Sequence, residues 1–111
     1  MYTPGLWVII EITPKGKETF FRVFGTWRGG YLDGEHWRLN SGITEVEVDG
    51  DYYNFYGSSG SLYRCGKKAK GMSGWSAGIA EGIVQDINSV EGTSAKILDP
   101  DELDSYLEQW S

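Results

Sequence analysis

The apolar pattern of this sequence changes its period near Ser73. Before Ser73, short segments rich in β-branched and aromatic residues are separated by turns that contain Gly or Pro, which is typical of β-strands. After Ser73, the residues Ile79, Ile83 and Ile87 recur at helical spacing. The sequence therefore predicts an α+β fold, in which a curved antiparallel sheet or small partly open barrel of five to seven strands is followed by two C-terminal helices.

Length and composition indicate one compact domain. A chain of 111 residues, of which 40% are hydrophobic and 23% charged, is long enough to bury a single core. We expect one domain over residues 1–111, with the sheet over 5–65 and helices over about 74–88 and 100–110.

Cysteine content and hydropathy indicate the cellular compartment in which we expect the protein. Cys65 is the only cysteine, so no intrachain disulfide can form and a reducing environment is the simpler expectation. The apolar run from Leu6 to Ile10 is too short to span a membrane and is followed by Glu11. We therefore expect a cytoplasmic protein without a membrane partner.

The first two predicted strands form a hairpin. Residues 6–12 are apolar on both faces apart from Glu11, which predicts a central strand covered on two sides. Pro14 and Gly16 then predict a turn, so that residues 19–27 return antiparallel. In this second strand, one predicted face carries Phe21, Val23 and Trp27, and the other carries Phe20, Phe24 and Thr26.

A second hairpin is predicted around Asp49 and Gly50, a pair that favours a type I′ turn. The segment before it, residues 31–40, predicts a short strand, a turn at Asp33 and Gly34, and a further strand. The predicted hairpin pairs are Val48 with Asp51, Glu47 with Tyr52, Val46 with Tyr53, Glu45 with Asn54, and Thr44 with Phe55. The predicted inward side chains are Thr44, Val46, Val48, Tyr53 and Phe55, and the outward ones are Glu45, Glu47, Tyr52 and Asn54.

Capping residues mark both helices. Ser73 is the expected N-cap of the first helix, in which Gly78 and Gly82 predict close packing against the sheet, and Trp75 is expected to belong to the apolar stripe. Asp99 is the expected N-cap of the second helix. The apolar stripe of the second helix is Leu103, Tyr106, Leu107 and Trp110, and its acidic face is Asp101, Asp104 and Glu108.

Charge is unevenly distributed along the chain. The net charge of −6 argues against general nucleic-acid binding, because affinity for a phosphate backbone comes mainly from Lys and Arg. Between residues 52 and 80, however, all charged side chains are basic. They are Arg64, Lys67, Lys68 and Lys70.

This acid-free stretch contains a Gly/Ser turn, "GSSGS", and a second turn before the first helix. Backbone N–H groups of a Gly/Ser turn can bind an anion, and the helix beginning near Ser73 offers a second set of donors. Aromatic residues nearby could stack on a planar base. The alternative is that both turns only connect strands and that the basic loop is solvated.

Arginines that follow tryptophans extend this candidate site. Arg28 and Arg38 could each bind a phosphate or stack on a ring; alternatively, each covers the adjacent aromatic or pairs with Glu35 or Glu45. The candidate ligand-binding residues are Arg28, Trp37, Arg38, Asn40, Tyr56, Ser58, Ser59, Ser61, Tyr63, Arg64, Ser73 and Trp75.

Catalytic and metal sites have little support in the sequence. His36 is the only histidine, and neither it nor Cys65 stands in a recognisable nucleophile motif. No Cys/His spacing typical of a metal site occurs, and the carboxylates of Asp49 and Asp51 are explained by hairpin chemistry. We therefore expect a non-enzymatic protein without a cofactor or metal.

The segments "WRLNSGITEVEVDGDYY", "YGSSGSLYRC" and "GMSGW" resemble a group of small uncharacterised proteins of tailed bacteriophages, over about residues 6–79. The resemblance implies a bacterial host cell and a possible role against host defence, but it transfers no catalytic residue. Our first hypothesis is sequestration of a small nucleotide-type immune signal. The second is inhibition of a host nucleic-acid-binding or immune protein through acidic side chains, and the third is a structural or assembly role. Homo-oligomerisation is compatible with the aromatic content.

Overall fold

A computed structural model of the protein describes residues 1–28 and 35–110. The predicted turn at Asp33 and Gly34 and the short strand before it lie outside these ranges. The strands are β1 (Leu6–Thr13), β2 (Phe20–Arg28), β3 (Glu35–Leu39), β4 (Ile43–Asp49), β5 (Tyr52–Gly57), β6 (Leu62–Gly66) and β7 (Ser94–Ile97). The helices are α1 (Gly74–Asn88) and α2 (Pro100–Trp110), and a 3₁₀ turn spans Lys67–Ala69.

The strands form two antiparallel sheets, with the order β3-β2-β1-β7 in one and β4-β5-β6 in the other. The α+β class is confirmed, although two separate sheets replace the single curved sheet or partly open barrel. The strand β7 was missed because its four residues, Ser94 to Ile97, include only two apolar side chains. It pairs with β1 and separates the two helices in the chain. Among the described residues, no helix is long and apolar enough to cross a membrane.

The strand β1 separates two apolar cores. Trp7 and Ile9 point into a core between the two sheets and α2, whereas Val8 and Ile10 point into a core beneath α1. Trp7, Ile9 and Ile10 are completely buried. The prediction of a central strand covered on both faces is confirmed.

The neighbouring strand β2 divides its side chains in the predicted way. Val23 is buried in the core between the sheets, and Phe21 and Trp27 pack against that core. Phe24 is buried in the core beneath α1, where Phe20 also packs. This alternation places consecutive residues of β2 on opposite faces of its sheet.

The β4–β5 hairpin differs from the predicted one in register and turn type. Asp49 pairs with Tyr52, so the two turn residues are Gly50 and Asp51. Gly50 has a φ of 59°, but no described non-glycine residue has a positive φ, so the predicted type I′ turn is wrong. A positive φ at the first turn position alone matches type II′, which needs only one glycine.

The register change is an even number of residues and therefore preserves most facings. Val46 and Phe55 still contribute to the core between the sheets. One predicted facing is wrong, because Thr44 is exposed at a β-bulge. Asn54 points outward as predicted and is bonded there to Glu47 (2.9 Å) and Arg64 (3.2 Å), which leave it only 5% exposed. A bulge leaves its extra residue unpaired, which removes Thr44 from the alternation.

Helix α1 begins and ends where the sequence predicts. The Ser73 hydroxyl accepts a hydrogen bond from Ser76 N at 3.2 Å, which confirms Ser73 as the N-cap. Trp75 is 48% exposed and does not join the apolar face. Close packing at Gly78 and Gly82 was also predicted wrongly, because a Cβ at either position would meet no atom within 4 Å.

Helix α2 confirms its predicted cap and stripe. The carboxylate of Asp99 accepts a hydrogen bond from Glu102 N at 2.8 Å. Leu103 and Leu107 are each 2% exposed in the core between the sheets, and Trp110 packs against that core. The helix therefore closes one opening of the space between the two sheets.

Candidate ligand-binding site

The Gly/Ser turn between β5 and β6 does not offer its amides to a ligand. All four N–H groups from Gly57 to Gly60 donate to acceptors within the chain. The bonds are Gly57 N to Ser61 O (2.8 Å), Ser58 N to Gly42 O (2.9 Å), Ser59 N to Ser41 Oγ (3.0 Å) and Gly60 N to Gly57 O (2.9 Å). The prediction of an anion-binding turn is therefore wrong, because the donors it requires are already used.

Asn40 and the serine hydroxyls hold this region together. Asn40 is 2% exposed, its N donates to Val23 O at 3.0 Å, and its Oδ1 accepts from Val23 N at 2.7 Å. Ser41 Oγ donates to Ser59 Oγ at 3.0 Å, and Ser59 Oγ donates to Ser61 Oγ at 3.4 Å. Asn40 thus extends the β2–β3 pairing and is too buried to contact a ligand.

Tyr63 and Arg64 lie on opposite faces of β6. Tyr63 is 1% exposed and packs on Tyr2 with ring centroids 5.0 Å apart, and this burial raises its pKa. Arg64 lies on the outer face, where its Nη1 is 2.7 Å from a carboxylate oxygen of Asp49. Its guanidinium also lies 4.2 Å from the centroid of the Tyr52 ring. Neither residue is available as predicted, since one is buried and the other already has an anionic partner.

Two candidate residues meet in a cleft of about 340 Å³, which we call the Arg28 cleft. Arg28 comes from the end of β2, and Ser73 comes from the start of α1. Trp75 is not part of its lining. The lining is Gly5, Leu6, Thr26, Trp27, Arg28 and Ser73.

Two other candidate residues meet in a cleft of about 350 Å³, which we call the Arg38 cleft. Its lining is Tyr2, Trp27, His36, Trp37 and Arg38. Arg38 Nη1 donates to the Tyr2 hydroxyl at 3.1 Å, and the guanidinium carbon lies 4.6 Å from the centroid of the Tyr2 ring. Trp37 is 44% exposed and stacks on Phe24 at 5.7 Å. Because Phe24 faces the core beneath α1, the Trp37 ring lies on the opposite face of the sheet from Arg38. The cleft therefore combines two aromatic side chains, those of Tyr2 and Trp27, with one guanidinium and one imidazole.

Strand pairing explains the composition of the Arg38 cleft. On β3, His36 lies opposite Trp27 and Arg38 lies opposite Gly25, so these side chains share one face of the sheet. A Cβ on Gly25 would lie 3.0 Å from Pro4 Cβ, so glycine at this position lets the N-terminal segment approach β2. The N-terminal segment can then place Tyr2 beside Arg38.

The Tyr2 side of the cleft is held by the second sheet. Tyr2 N donates to Leu62 O at 2.8 Å, and Tyr2 O accepts from Arg64 N at 2.7 Å. The indole N–H of Trp27 donates to Thr3 O at 2.9 Å. Both aromatic walls are therefore fixed through hydrogen bonds to backbone groups of other segments.

The electrostatics of the two clefts contrast with the acidic chain. No Asp or Glu lines either cleft among residues 1–28 and 36–110. In the same ranges, the ion pairs are Arg64 with Asp49, Lys70 with Asp104, and Lys96 with Glu102, so neither Arg28 nor Arg38 pairs with a described carboxylate. The described lining of each cleft thus carries a basic side chain, Arg28 or Arg38, on a chain of net charge −6.

The same ion pairs weaken the hypothesis that the protein inhibits a host protein through its acidic side chains. Asp49 of the hairpin and Asp104 of α2 each carry a basic partner, Arg64 and Lys70 respectively. The acidic array is therefore partly neutralised by side chains of the chain itself, which weakens its likeness to a row of phosphates.

The structure does not bring the predicted residues into one hollow. One cleft is lined by Arg28 and Ser73, and a separate cleft is lined by Trp37 and Arg38. Arg64 and Trp75 lie on opposite sides of the molecule. Arg64 is on the outer face of the three-stranded sheet, whereas Trp75 belongs to α1, which covers the far face of the four-stranded sheet. Tyr56, Ser58, Ser59 and Ser61 line neither cleft. Sequence reasoning missed Tyr2 and Trp27, whose roles depend on contacts between distant segments that no local pattern encodes.

Groups with catalytic or metal-binding chemistry are dispersed. Cys65 is completely buried in the core between the sheets, and this burial raises the pKa of its thiol, whereas His36 lies in the Arg38 cleft. Within the part of the chain that the structure describes, no three His, Cys, Asp or Glu side chains are grouped to hold a metal ion.

Comparisons of this chain with protein-family models, with curated proteins and with solved structures find no match. The function therefore has to be inferred from the geometry of the chain itself.

Proposed function

We propose that the protein binds a small anionic ligand with a planar ring, of the nucleotide type, in the Arg38 cleft. The observation that carries this proposal is the position of Arg38: its guanidinium lies over the Tyr2 ring, in a cleft that Trp27 also lines, and has no carboxylate partner among the described residues. An unpaired guanidinium can bind phosphate through two parallel hydrogen bonds.

The walls of the cleft suit the ring of such a ligand. Tyr2 and Trp27 supply aromatic surface on which a base can stack, and each stacked base contributes about 1–3 kcal/mol in nucleic-acid-binding proteins. The volume of about 350 Å³ lies at the lower end of the range of small-molecule sites. A single nucleotide unit is the ligand size that this volume supports.

Arg38 is also held ready for binding. Its hydrogen bond to the Tyr2 hydroxyl and its contact with the Tyr2 ring fix the guanidinium without neutralising it. Less side-chain entropy is then lost when a phosphate binds. This arrangement favours binding without chemistry, and sequestration of a nucleotide signal in a phage-infected cell is the role that we propose for it.

Calorimetry against a panel of nucleotides tests the proposal. We expect at least one nucleotide to bind the wild-type protein, and Arg38→Gln to weaken binding about tenfold or more, because a charge-assisted hydrogen bond contributes about 1.5–3 kcal/mol. Binding should also quench tryptophan fluorescence, since Trp27 lines the cleft.

Arg64→Gln provides the matched control. It removes the same charge from a residue on the outer face of the other sheet, where Asp49 is the partner. Affinity for the nucleotide should stay within about twofold of wild type in this variant. Equal loss of affinity in both variants, or no binding of any nucleotide, would show that the Arg38 cleft is not the site.

A further inference from the structure

The strand β4 has a backbone edge that no described strand covers. In the order β4-β5-β6, β4 pairs with β5 alone. Asp49 and Tyr52 flank the two-residue turn and exchange backbone hydrogen bonds, so Glu47, two residues earlier, also bonds to β5. Val46 and Val48 therefore direct their N–H and C=O groups away from β5. Within residues 1–28 and 35–110, these groups have no hydrogen-bond partner.

Two clefts lie along this free side of the strand, which we call the β4 edge. One, of about 450 Å³, is lined by residues 43–46 together with Phe21 and Trp110. Alternate side chains of a strand point to opposite faces, so a cleft that is lined by four consecutive residues follows the edge of the strand. The other cleft, of about 340 Å³, has Val48 and Leu107 in its lining. Space is therefore open beside both halves of β4.

The inner side of the β4 edge is apolar. Val46 packs against the core between the sheets, whereas Val48, on the same face, is 43% exposed. The rings of Phe21 and Trp110 have centroids 4.7 Å apart and border the cleft beside Val46. An added strand directs alternate side chains to this inner side, where apolar side chains can be buried.

The outer face of β4 is acidic. Glu45, Glu47 and Asp49 are exposed on it. Asp49 pairs with Arg64 at 2.7 Å, and Glu47 accepts a hydrogen bond from the neutral amide of Asn54 at 2.9 Å. Neither Glu45 nor Glu47 has a basic partner in the part of the chain that the structure describes. Two such carboxylates are too few to imitate a row of phosphates, but they lie beside the outward side chains of any strand that pairs with β4.

We infer that the β4 edge binds an extended basic peptide as an additional antiparallel strand, with Lys or Arg on the outer face and apolar residues on the inner one. Hydrogen bonds to the backbone of Val46 and Val48 supply affinity, and the alternating side chains supply specificity. The charges argue against a second copy of this chain as the occupant, because two paired β4 edges place acids opposite acids. The β4 edge shares no residue with the Arg38 cleft, so the inference does not depend on the proposed function.

The hexapeptide acetyl-Lys-Val-Lys-Val-Lys-Val-amide is the probe for this edge. In an NMR titration, we expect it to shift the amide signals of Val46 and Val48 with a dissociation constant of about 0.1–1 mM. The same peptide with Glu in place of Lys should cause no such shifts, because its charges repel those of the outer face.

The double variant Glu45→Gln, Glu47→Gln tests the role of charge. It should weaken binding of the basic peptide about three- to tenfold, since exposed ion pairs are individually weak. Both side chains are exposed, so their substitution is not expected to unfold the protein. The matched control is Glu81→Gln, Asp86→Asn, which removes the same net charge from exposed positions of α1 and should change the affinity less than about twofold.

Backbone methylation tests the pairing itself. In an antiparallel ladder, the residues opposite Val46 and Val48 turn their N–H groups toward β4, and these are the valines of the peptide. N-methyl groups on the valines should therefore abolish binding, whereas N-methyl groups on the lysines point away from β4 and should leave most of the affinity.

Four outcomes would each overturn the inference: equal binding of the Glu peptide, equal effects of the two double variants, equal effects of the two methylations, or no shift at up to about 5 mM peptide. Sedimentation of the protein alone tests the other occupant. Dimerisation that shifts the Val46 and Val48 signals without peptide would mean that a second copy occupies the β4 edge, and it would also overturn the inference.

Discussion

Replacing Gly78 and Gly82 by alanine should stabilise the protein. Both glycines lie in the interior of α1, a helix of 15 residues, and neither has a positive φ. A Cβ at either position would meet no atom within 4 Å, so the added methyl groups cause no clash. The structure therefore provides no packing reason for glycine at these two positions.

The expected magnitude follows from helix propensity. Alanine is favoured over glycine by about 0.8–1.0 kcal/mol in a helix interior, mainly because glycine loses more backbone entropy on folding. The methyl groups make no contact with other elements, so the two effects should be nearly additive and total about 2 kcal/mol. For a domain of this size, this corresponds to a rise in Tm of about 8 °C.

Thermal and urea unfolding of the two single variants and the double variant measure this gain. Gly92→Ala is the contrasting control, because Gly92 has a φ of 83° and a Cβ there would lie 2.6 Å from Lys15 Cδ. A left-handed conformation costs a non-glycine residue about 1–2 kcal/mol, so this variant should be less stable than wild type.

A neutral or destabilising result for Gly78→Ala or Gly82→Ala would refute the reasoning. It would mean that another surface packs closely against α1 in solution, as two copies of the chain would do if the glycine-bearing face of the helix formed a dimer. Analytical ultracentrifugation of the wild type and the double variant distinguishes that outcome, since a dimer interface would be lost together with stability.

Three further predictions concern stability. Gly57→Ala should lower the free energy of unfolding by about 1–3 kcal/mol in urea, because its Cβ would lie 2.7 and 2.8 Å from two serine hydroxyl oxygens. Asp99→Ala should cost about 0.5–2 kcal/mol in thermal unfolding through loss of the α2 cap. Burial raises the pKa of Tyr63 and of Cys65, so both groups favour the folded state while protonated. Their contribution to the free energy of unfolding should therefore be fully present at neutral pH and be lost as the pH rises above about 9. The loss should be smaller in Cys65→Ala. A free energy of unfolding that stays constant to high pH would contradict this prediction.

Much of the fold could be predicted because the relevant signals are local. The two-sided apolar pattern of β1 and the capping residues Ser73 and Asp99 each depend on neighbours within a few positions, and each prediction is confirmed. The hairpin turn shows where local reasoning stops. Asp49 and Gly50 favour one turn type in isolation, but Asp49 instead pairs with Tyr52 and contacts Arg64 across the sheet.

The candidate site was less predictable because a donor's availability depends on distant partners. Nothing in "GSSGS" indicates that Ser59 N will bind the hydroxyl of Ser41, or that Ser58 N will bind Gly42 O. The composition of the turn correctly predicts many exposed polar groups. It cannot predict how many of these groups form hydrogen bonds within the folded chain.

Two arginines show that distant partners can also leave a donor available. Arg38 and Arg64 are equivalent in sequence terms, since both belong to short strands near Gly-rich turns. In the β4–β5–β6 sheet, strand pairing places an acidic residue of β4 on the outer face beside Arg64. Arg38 lies on β3, at the edge of the other sheet, and its partner on β2 is Gly25, which has no side chain. Register thus decides which guanidinium is neutralised, and it leaves Arg38 over the aromatic ring of Tyr2 without a carboxylate partner among the described residues.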